Sequence, residues 1–255
     1  MKILAIIGSP RKKGNSYSVI KRIEDKIKNI GNVEFEYLFL SDVNLELCQG
    51  CGVCLLKGEE HCPNKDDRKQ IEDKILNADG VIFISPVYAM NMTALIKNLL
   101  DRTAYTMHRP RFFNQYTMIV SVTGSVGLKE TINSLSAIKY SGYNIVHSFG
   151  IVATDPFINT KISDSKSLKD IDFAAEKFYK TIINKKPMVP SFDNIMQFRM
   201  QQRVFDLLKD KLTCDHNYFK EKGWLDKKKK FYTDNAKINP IKNLIARWMS
   251  LTLIK

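Results

Sequence analysis

Short apolar runs alternate with amphipathic segments along the first three-quarters of the chain. The apolar runs have the length and β-branched content of buried strands and lie at residues 3–7, 33–40, 80–85, 116–122 and 143–152. Helix-like segments follow them at residues 16–29, 66–77, 93–106, 128–140 and 165–184. This alternation predicts an α/β fold in which a doubly wound, five-stranded parallel sheet is covered by helices on both faces, giving three layers.

The pattern changes at residues 185–191, KKPMVPS, where two prolines interrupt it. We therefore divide the chain into a sheet domain of residues 1–186 and a helical, basic C-terminal extension of residues 187–255, with helices near 195–211 and 241–254. In the last of these, one helical face carries Ile241, Leu244, Ile245, Trp248, Met249 and Thr252. That stripe predicts docking on the sheet domain or on a neighbouring subunit, and contact with an anionic membrane is the alternative.

A disproportionate share of the positive net charge lies in the extension. The chain has 255 residues and a net charge of +13. The extension carries 14 Lys/Arg against 7 Asp/Glu, a net +7 that is about half of the total. Such charge can attract nucleic acid, anionic lipid or an acidic partner, but a solvated surface is the commoner meaning, and we expect no nucleic acid. No apolar run is long enough for a bilayer-spanning helix, and the start MKILAIIGSP suits a strand better than a signal peptide, so we expect a cytoplasmic protein.

Three loops at strand ends carry residues suited to a ligand. The loop GSPRKKGNS after the first strand combines hydroxyls, an amide and cations at a strand-to-helix turn, where backbone N–H groups favour a phosphate. It is neither a Walker A loop, because Asn15 stands in place of the lysine, nor a GxGxxG loop. The loops SPVYAMN after the third strand and TGSVG after the fourth lie at the same sheet edge. Together they predict a phosphate pocket beside a slot for a planar heterocycle.

Four of the five cysteines stand in residues 48–62, an insertion after the second strand with the spacing C-x2-C-x2-C-x7-C. In a reducing compartment such a group binds metal more often than it forms disulfides. The overlapping spacing favours a [4Fe–4S] cluster, with zinc or redox-active thiols as the alternatives. The expected ligands are Cys48, Cys51, Cys54 and Cys62. We expect Cys214 to be an ordinary thiol and His61 a solvated loop residue.

These motifs resemble those of the flavodoxin-like, NADPH-dependent FMN reductases, and CQGCGVC…CPNKDD resembles the cysteine motif of their iron–sulfur flavoprotein branch. The loop TGSVGL is less glycine-rich than its usual family counterpart. The resemblance implies non-covalent FMN, with the phosphate bound by Ser9, Arg11, Asn15 and Ser16. It implies that the isoalloxazine ring is framed by Pro86, Val87, Tyr88, Ala89, Met90 and Asn91. It also implies that the site is closed by Thr123, Gly124, Ser125 and Gly127.

The resemblance further implies an oxidoreductase whose reductant is NAD(P)H or a reduced ferredoxin and whose assembly is a dimer or tetramer. We find no acid–base or nucleophilic constellation, and thus no catalytic side chain. Asp66 and Asp67 are expected to cap a helix, and Lys97 with Asp101 to pair on a helix surface. The alternative function is a non-catalytic electron carrier, or a redox sensor whose basic tail binds a partner or a membrane.

Overall fold

In a computed structural model of the chain, which describes residues 1–153 and 165–254, a parallel sheet forms the centre of the molecule. Within the described residues the sheet has five strands in the order β2-β1-β3-β4-β5, with every neighbouring pair parallel. The strands are β1 (Lys2–Ile7), β2 (Glu34–Phe39), β3 (Gly80–Pro86), β4 (Tyr116–Thr123) and β5 (Asn144–Val152). This is the flavodoxin-like order of a doubly wound fold, and it confirms the predicted fold class.

Helices connect the strands and continue into the extension. Those of the sheet domain are α1 (Asn15–Lys28), α2 (Val53–Leu56), α3 (Arg68–Leu76), α4 (Ala94–Arg102), α5 (Leu128–Leu135) and α6 (Ser165–Ile183). Those of the extension are α7 (Phe192–Leu207), α8 (Thr213–Glu221) and α9 (Pro240–Leu253). The predicted helices 93–106 and 128–140 are each shorter, because their last turns are 3-10 helix at Ala104–Met107 and Ser136–Ser141. Among the residues described, no helix combines the length and apolar character needed to cross a bilayer.

The sheet is buried on both faces, which explains the unbroken apolar runs in its central strands. Along β1, Ile3, Ala5 and Ile7 pack against α1 and α6. Leu4 and Ile6 point to the other face and pack with residues of α3, α4 and α5. Since successive strand residues alternate between faces, a strand with helices on both sides favours apolar residues at successive positions.

The extension has a buried aromatic cluster of its own. Its largest members are Phe198, Phe205, Phe219, Trp224, Phe231 and Tyr232. Phe113 of the sheet domain joins it, stacking on Tyr232 with ring centroids 5.3 Å apart. Within it, the sequence pattern missed α8, because the segment TCDHNYFKE offers only two fully buried positions, Asp215 and Phe219, and one of them is charged.

The last helix, α9, docks on α7 by its small and polar residues. Ala246 and Ser250 are buried, and the side-chain oxygen of Asn243 accepts hydrogen bonds of 3.0 and 2.8 Å from Arg199. The predicted apolar stripe faces outward instead, with Trp248 65% exposed. The expectation that this stripe packs on the sheet domain is therefore wrong, because small side chains allow α9 to approach α7 more closely than the large ones would. Docking of the stripe on a neighbouring subunit stays a prediction.

Candidate functional site

A cavity of about 80 Å³ lies at the carboxyl ends of β1, β3 and β4. The strand order reverses direction between β1 and β3, which is the position where doubly wound sheets bind ligands. Three loops that are distant in sequence share the cavity wall. They contribute Ser9, Arg11, Gly14, Asn15 and Ser16 from the first loop, Pro86, Val87 and Tyr88 from the second, and Val122, Thr123 and Gly124 from the third.

The first loop brings hydrogen-bond donors to one end of this cavity. Helix α1 begins at Asn15 in the cavity wall and has no acidic residue in its first turn, so the positive end of its dipole is not neutralised there. Ser9 and Ser16 are buried, and the Ser9 hydroxyl accepts a hydrogen bond of 3.2 Å from the backbone N–H of Arg11. Hydroxyl groups, a guanidinium and a helix N-terminus in one wall form a donor set that fits a phosphate.

The second loop is a tight turn beside the cavity. Tyr88 and Asn91 exchange two backbone hydrogen bonds of 2.9 and 3.0 Å across it. The two residues between them, Ala89 and Met90, have φ values of 48° and 63°, a left-handed conformation that costs non-glycine residues about 1 kcal/mol or more each. The turn places the half-exposed Tyr88 ring in the cavity wall, where it can contact a flat ligand.

The third loop packs closely against the second. Gly127 has a φ of 91°, and a Cβ atom at this position would lie 2.6 Å from Val87 Cγ1 and 3.2 Å from Met90 Cα. The Thr123 hydroxyl accepts from the backbone N–H of Ser125 at 3.2 Å, which folds the loop back on itself. Gly127 therefore acts by allowing the two loops to meet.

Sequence reasoning placed fourteen residues at this site, and nine of them share the cavity wall. Ala89, Met90 and Asn91 lie in the turn beside it, and Ser125 and Gly127 lie in the third loop outside the wall. Two wall residues were missed. Gly14 lies inside the quoted first loop, so its position was available from the sequence, whereas Val122 has no signal beyond its place near the end of a strand.

A second cavity, of about 30 Å³, is bordered by the cysteine insertion and by α4. Cys48, Cys51, Cys54 and Cys62 all contribute to its wall, and none of the five cysteines forms a disulfide. Gly52, in the left-handed region at φ 69°, turns the chain between the second and third of them. Within residues 1–153 and 165–254, no three His, Cys, Asp or Glu side chains are arranged to hold a metal ion. The cysteines thus surround a common space without meeting at one point.

Arginines bring positive charge to this second cavity. Arg102 donates to the Cys62 sulfur at 3.7 Å, and Arg109 donates to the Cys54 carbonyl at 2.6 Å. Burial raises the pKa of the Cys54 thiol above its ordinary value, the charges of the other three cysteines raise it further, and Arg109 opposes them. One arginine therefore lies beside the sulfur of Cys62 and another beside the backbone of Cys54.

The cysteine insertion is held to the sheet domain by polar contacts. Asn98 of α4 accepts from the backbone N–H of Cys48 at 3.3 Å and donates to the carbonyl of Leu45 at 3.0 Å. Asn64 donates to the carbonyl of Leu47 at 3.0 Å. Such bonds give a loop of this length a defined conformation, which a multi-atom cofactor needs from its ligands.

The ion pair on the surface of α4 and the cap at the start of α3 were both predicted from the sequence. Lys97 and Asp101 do form an ion pair, at 2.6 Å, as predicted. The capping role of Asp66 and Asp67 is only partly correct. Asp67 holds the N-cap position of α3 but makes no side-chain cap, and its carboxylate accepts from the backbone N–H of Asn44 at 2.8 Å. Asp66 accepts from the Arg68 N–H at 3.2 Å, yet it is also the buried ion-pair partner of Arg102.

A flavodoxin-like sheet with a phosphate-type cavity at its switch point is the arrangement of a protein that binds a phosphate-bearing ligand there. The model of the NADPH-dependent FMN reductase family matches residues 1–151. An iron–sulfur flavoprotein of Archaeoglobus fulgidus is 30% identical over 234 residues, which cover 88% of this chain and 100% of that relative. The chain belongs to this reductase family and, within it, to the iron–sulfur flavoproteins. It is an FMN-dependent oxidoreductase.

Two solved structures share the fold. A flavone reductase superposes with a TM-score of 0.57 at 17% identity, covering 75% of this chain and 66% of that one. The apo form of an NADH:FMN oxidoreductase gives a TM-score of 0.51 at 19% identity, covering 71% of this chain and 89% of that one. The first is described as a reductase and the second as an oxidoreductase, and at these identities the similarity concerns the fold.

Proposed function

We propose that this chain moves electrons between NAD(P)H or ferredoxin and an acceptor, using FMN in the first cavity and a [4Fe–4S] cluster in the second. The observation that carries the proposal is the convergence of four cysteines on one cavity in a chain of an FMN-dependent family. When bound, FMN would supply two-electron hydride chemistry and a cluster would supply single-electron transfer, so a chain that holds both could link two-electron donors to one-electron acceptors.

The side chains of the first cavity would bind and orient FMN. Ser9, Arg11, Asn15 and Ser16 would hold the phosphate, together with the N-terminus of α1. The turn after β3, from Pro86 to Asn91, would border the isoalloxazine ring, and the loop from Thr123 to Gly127 would close the site. No side chain of this wall is assigned a proton-transfer role. We therefore propose that the protein positions the FMN and sets the electrostatic environment around it.

The second cavity fits a cluster by its donor chemistry. Four thiolates are the ligand set of a [4Fe–4S] cluster, and they carry negative charge that Arg102 and Arg109 would partly compensate. The hydrogen bond from Arg102 to the Cys62 sulfur is of the kind that tunes the reduction potential of such clusters. Cys214 is not in the wall, although its thiol donates to the carbonyl of Leu56 at 3.3 Å.

Replacing both Arg11 and Ser16 with alanine is expected to weaken FMN binding by roughly 100-fold, since each side chain can bond a charged phosphate oxygen. Quenching of FMN fluorescence on titration with flavin-free protein measures the dissociation constant. Lys13→Ala is the matched control, because Lys13 is an exposed cation of the same loop outside the cavity wall. Equal losses in the two variants, or release of FAD on heating the wild type, would contradict the assignment.

Replacing Cys62 with alanine is expected to abolish cluster assembly, whereas Cys214→Ala should leave it intact. Protein prepared without oxygen should contain about four irons and four sulfides per chain in the wild type and in the Cys214 variant. Iron, sulfide and zinc analysis with an absorption spectrum checks this. Stoichiometric zinc in the wild type would show that the cysteines serve another metal, and FMN content gives an independent check on folding.

Electron donors can be compared on the same preparation. If NAD(P)H is the reductant, anaerobic mixing should bleach the flavin absorbance faster with NADH or NADPH than with reduced ferredoxin. Slow reduction by both nucleotides with rapid exchange with ferredoxin would identify an electron carrier instead. We also propose a dimer or tetramer, which sedimentation velocity on the same sample would test.

A further inference from the structure

The outer face of α9 is an exposed apolar strip. We define the outer strip as Ile241, Leu244, Ile245, Trp248 and Leu251, which recur at the spacing of a single helical face. Ile241 and Leu244 are 68% and 69% exposed, and Trp248 is similarly open to solvent. Five large apolar side chains contiguous on one surface are unusual unless that surface contacts something.

The helix that carries the outer strip is held firmly in place. Its opposite side packs on α7 through Ala246 and Ser250, and Asn243 bonds Arg199. At its start, the side-chain oxygen of Asn239 accepts from the backbone N–H groups of Ile241 and Lys242 at 3.0 and 3.1 Å. Because this docking uses the opposite face, the strip cannot turn inward without breaking these contacts.

Positive charge flanks the strip on both sides. Lys242 and Arg247 are exposed on α9 beside the strip, one along each edge. From residue 235 to the end, the sequence contains four Lys/Arg and no Asp or Glu. An apolar face with a tryptophan near its middle and cations along its borders has the composition of a helix that lies in a membrane interface, where long basic side chains reach the headgroups.

We propose that the outer strip of α9 binds the surface of an anionic membrane, with its apolar residues in the headgroup region and Lys242 and Arg247 on lipid phosphates. Charge favours this over a second copy of the chain. A twofold contact places the same patch against itself, so the cations that border one strip would face those of its partner with no acidic residue of this segment to offset them. An anionic lipid surface complements both the apolar and the charged parts of α9.

Co-sedimentation of the full-length, cofactor-containing protein with vesicles tests the proposal. We expect binding to phosphatidylcholine vesicles that contain about one-third phosphatidylglycerol, weaker binding at high salt, and little binding to phosphatidylcholine alone. The Leu244→Glu/Trp248→Glu variant should bind at least tenfold more weakly. Phe173→Glu, which changes an equally exposed aromatic residue on α6, should bind as the wild type does.

A second pair of variants separates α9 from the general charge of the chain. Lys242→Gln/Arg247→Gln should reduce binding several-fold more than Lys227→Gln/Lys228→Gln, which removes the same charge elsewhere in the extension. Equal effects of the two pairs would overturn the proposal, since net charge alone would then explain adsorption. Failure of the wild-type protein to bind anionic vesicles would also overturn the proposal.

Sedimentation velocity tests the alternative that the outer strip contacts a second copy of the chain. If the Leu244→Glu/Trp248→Glu variant becomes a smaller species while the wild type fails to bind vesicles, the strip is a subunit interface. If this variant does not fold, the wild type alone remains decisive. Trp224 is buried and Trp248 exposed, so a blue shift of tryptophan emission on adding anionic vesicles reports Trp248, and its absence would count against the proposal.

Discussion

Replacing Arg102 with leucine is expected to lower the free energy of unfolding by about 3 to 5 kcal/mol at neutral pH. Arg102 and Asp66 are an ion pair whose side chains are each only 1% exposed. Arg102 also donates to the carbonyl of Glu46 at 2.7 Å and to the sulfur of Cys62. The substitution leaves a buried carboxylate without its cation and the cysteine insertion without this link to α4. Urea unfolding measures the loss.

The pH dependence of that loss provides a further test. Burial by itself raises the pKa of Asp66, but hydrogen bonds from Arg102 and from the backbone outweigh it and hold the pKa below its ordinary value. A carboxyl with a lowered folded pKa stabilises the protein above the unfolded pKa of about 3.9, and this stability is lost as the pH falls through the folded pKa. In the variant, burial without Arg102 raises the pKa of Asp66, so the difference between wild type and variant should shrink as the pH falls through that raised pKa towards the lowered pKa of the wild type.

The matched control is the partly exposed pair of Arg22 and Asp172, which is also bidentate at 2.8 Å. Arg22→Leu is expected to cost about 1 kcal/mol, because solvent reaches this pair and screens it. If Arg102→Leu and Arg22→Leu were equally mild, the buried pair would not contribute as its geometry indicates. Arg102→Lys keeps the charge but not the fork of donors, so we expect an intermediate loss.

Replacing Asp215 with asparagine is expected to cost about 3 kcal/mol and to loosen the extension from the sheet domain. Asp215, on α8, is fully buried and accepts hydrogen bonds from Arg109 and, at 2.8 Å, from His108. Arg109 in turn donates to the carbonyl of Cys54. One carboxylate in the extension thus supports the arginine that holds the cysteine insertion. The variant should be cleaved faster by protease within residues 185–191.

Iron retention makes this prediction specific to the cysteine insertion. If Asp215 acts through Arg109 and Cys54, the variant should lose iron faster than the wild type on exposure to a chelator, at a temperature where both remain folded. Asp210→Asn changes an exposed carboxylate of the same extension and should leave both readouts unchanged. Normal iron retention in a destabilised Asp215→Asn protein would limit its role to anchoring the extension.

The sheet domain was predictable because its signals are local. Strand β1 is apolar at every position from Ile3 to Ile7, and this follows from burial on both faces. The flavin loops were predictable for a related reason. In a parallel sheet the carboxyl ends of the strands share one edge, so the loops that carry Ser9, Tyr88 and Thr123 had to be neighbours once the strands were placed. Gly127 was singled out with its loop, but its contact with Val87 required coordinates.

The extension was harder to predict, since its contacts are non-local and partly polar. Helix α8 buries a carboxylate, and hydrophobic periodicity has no way to recognise a buried Asp215 whose partner, Arg109, is 106 residues away. The stripe on α9 was correctly placed on one helical face, yet the expectation that this face packs on the sheet domain was wrong. Periodicity shows that a face is apolar and says nothing about what covers it.

By itself, the sequence determined the class of fold, the edge of the sheet that carries the ligand loops and the group of four cysteines. These depend on strand and helix periods, on backbone conformation and on short spacings, which act within a few residues. Only the tertiary structure decided that the cysteines share a cavity with Arg102, that Asp215 reaches back to Arg109, and that α9 turns its apolar face outward. Each of these depends on which surfaces meet when distant segments pack, and that is set by shape, burial and charge pairing across the whole chain.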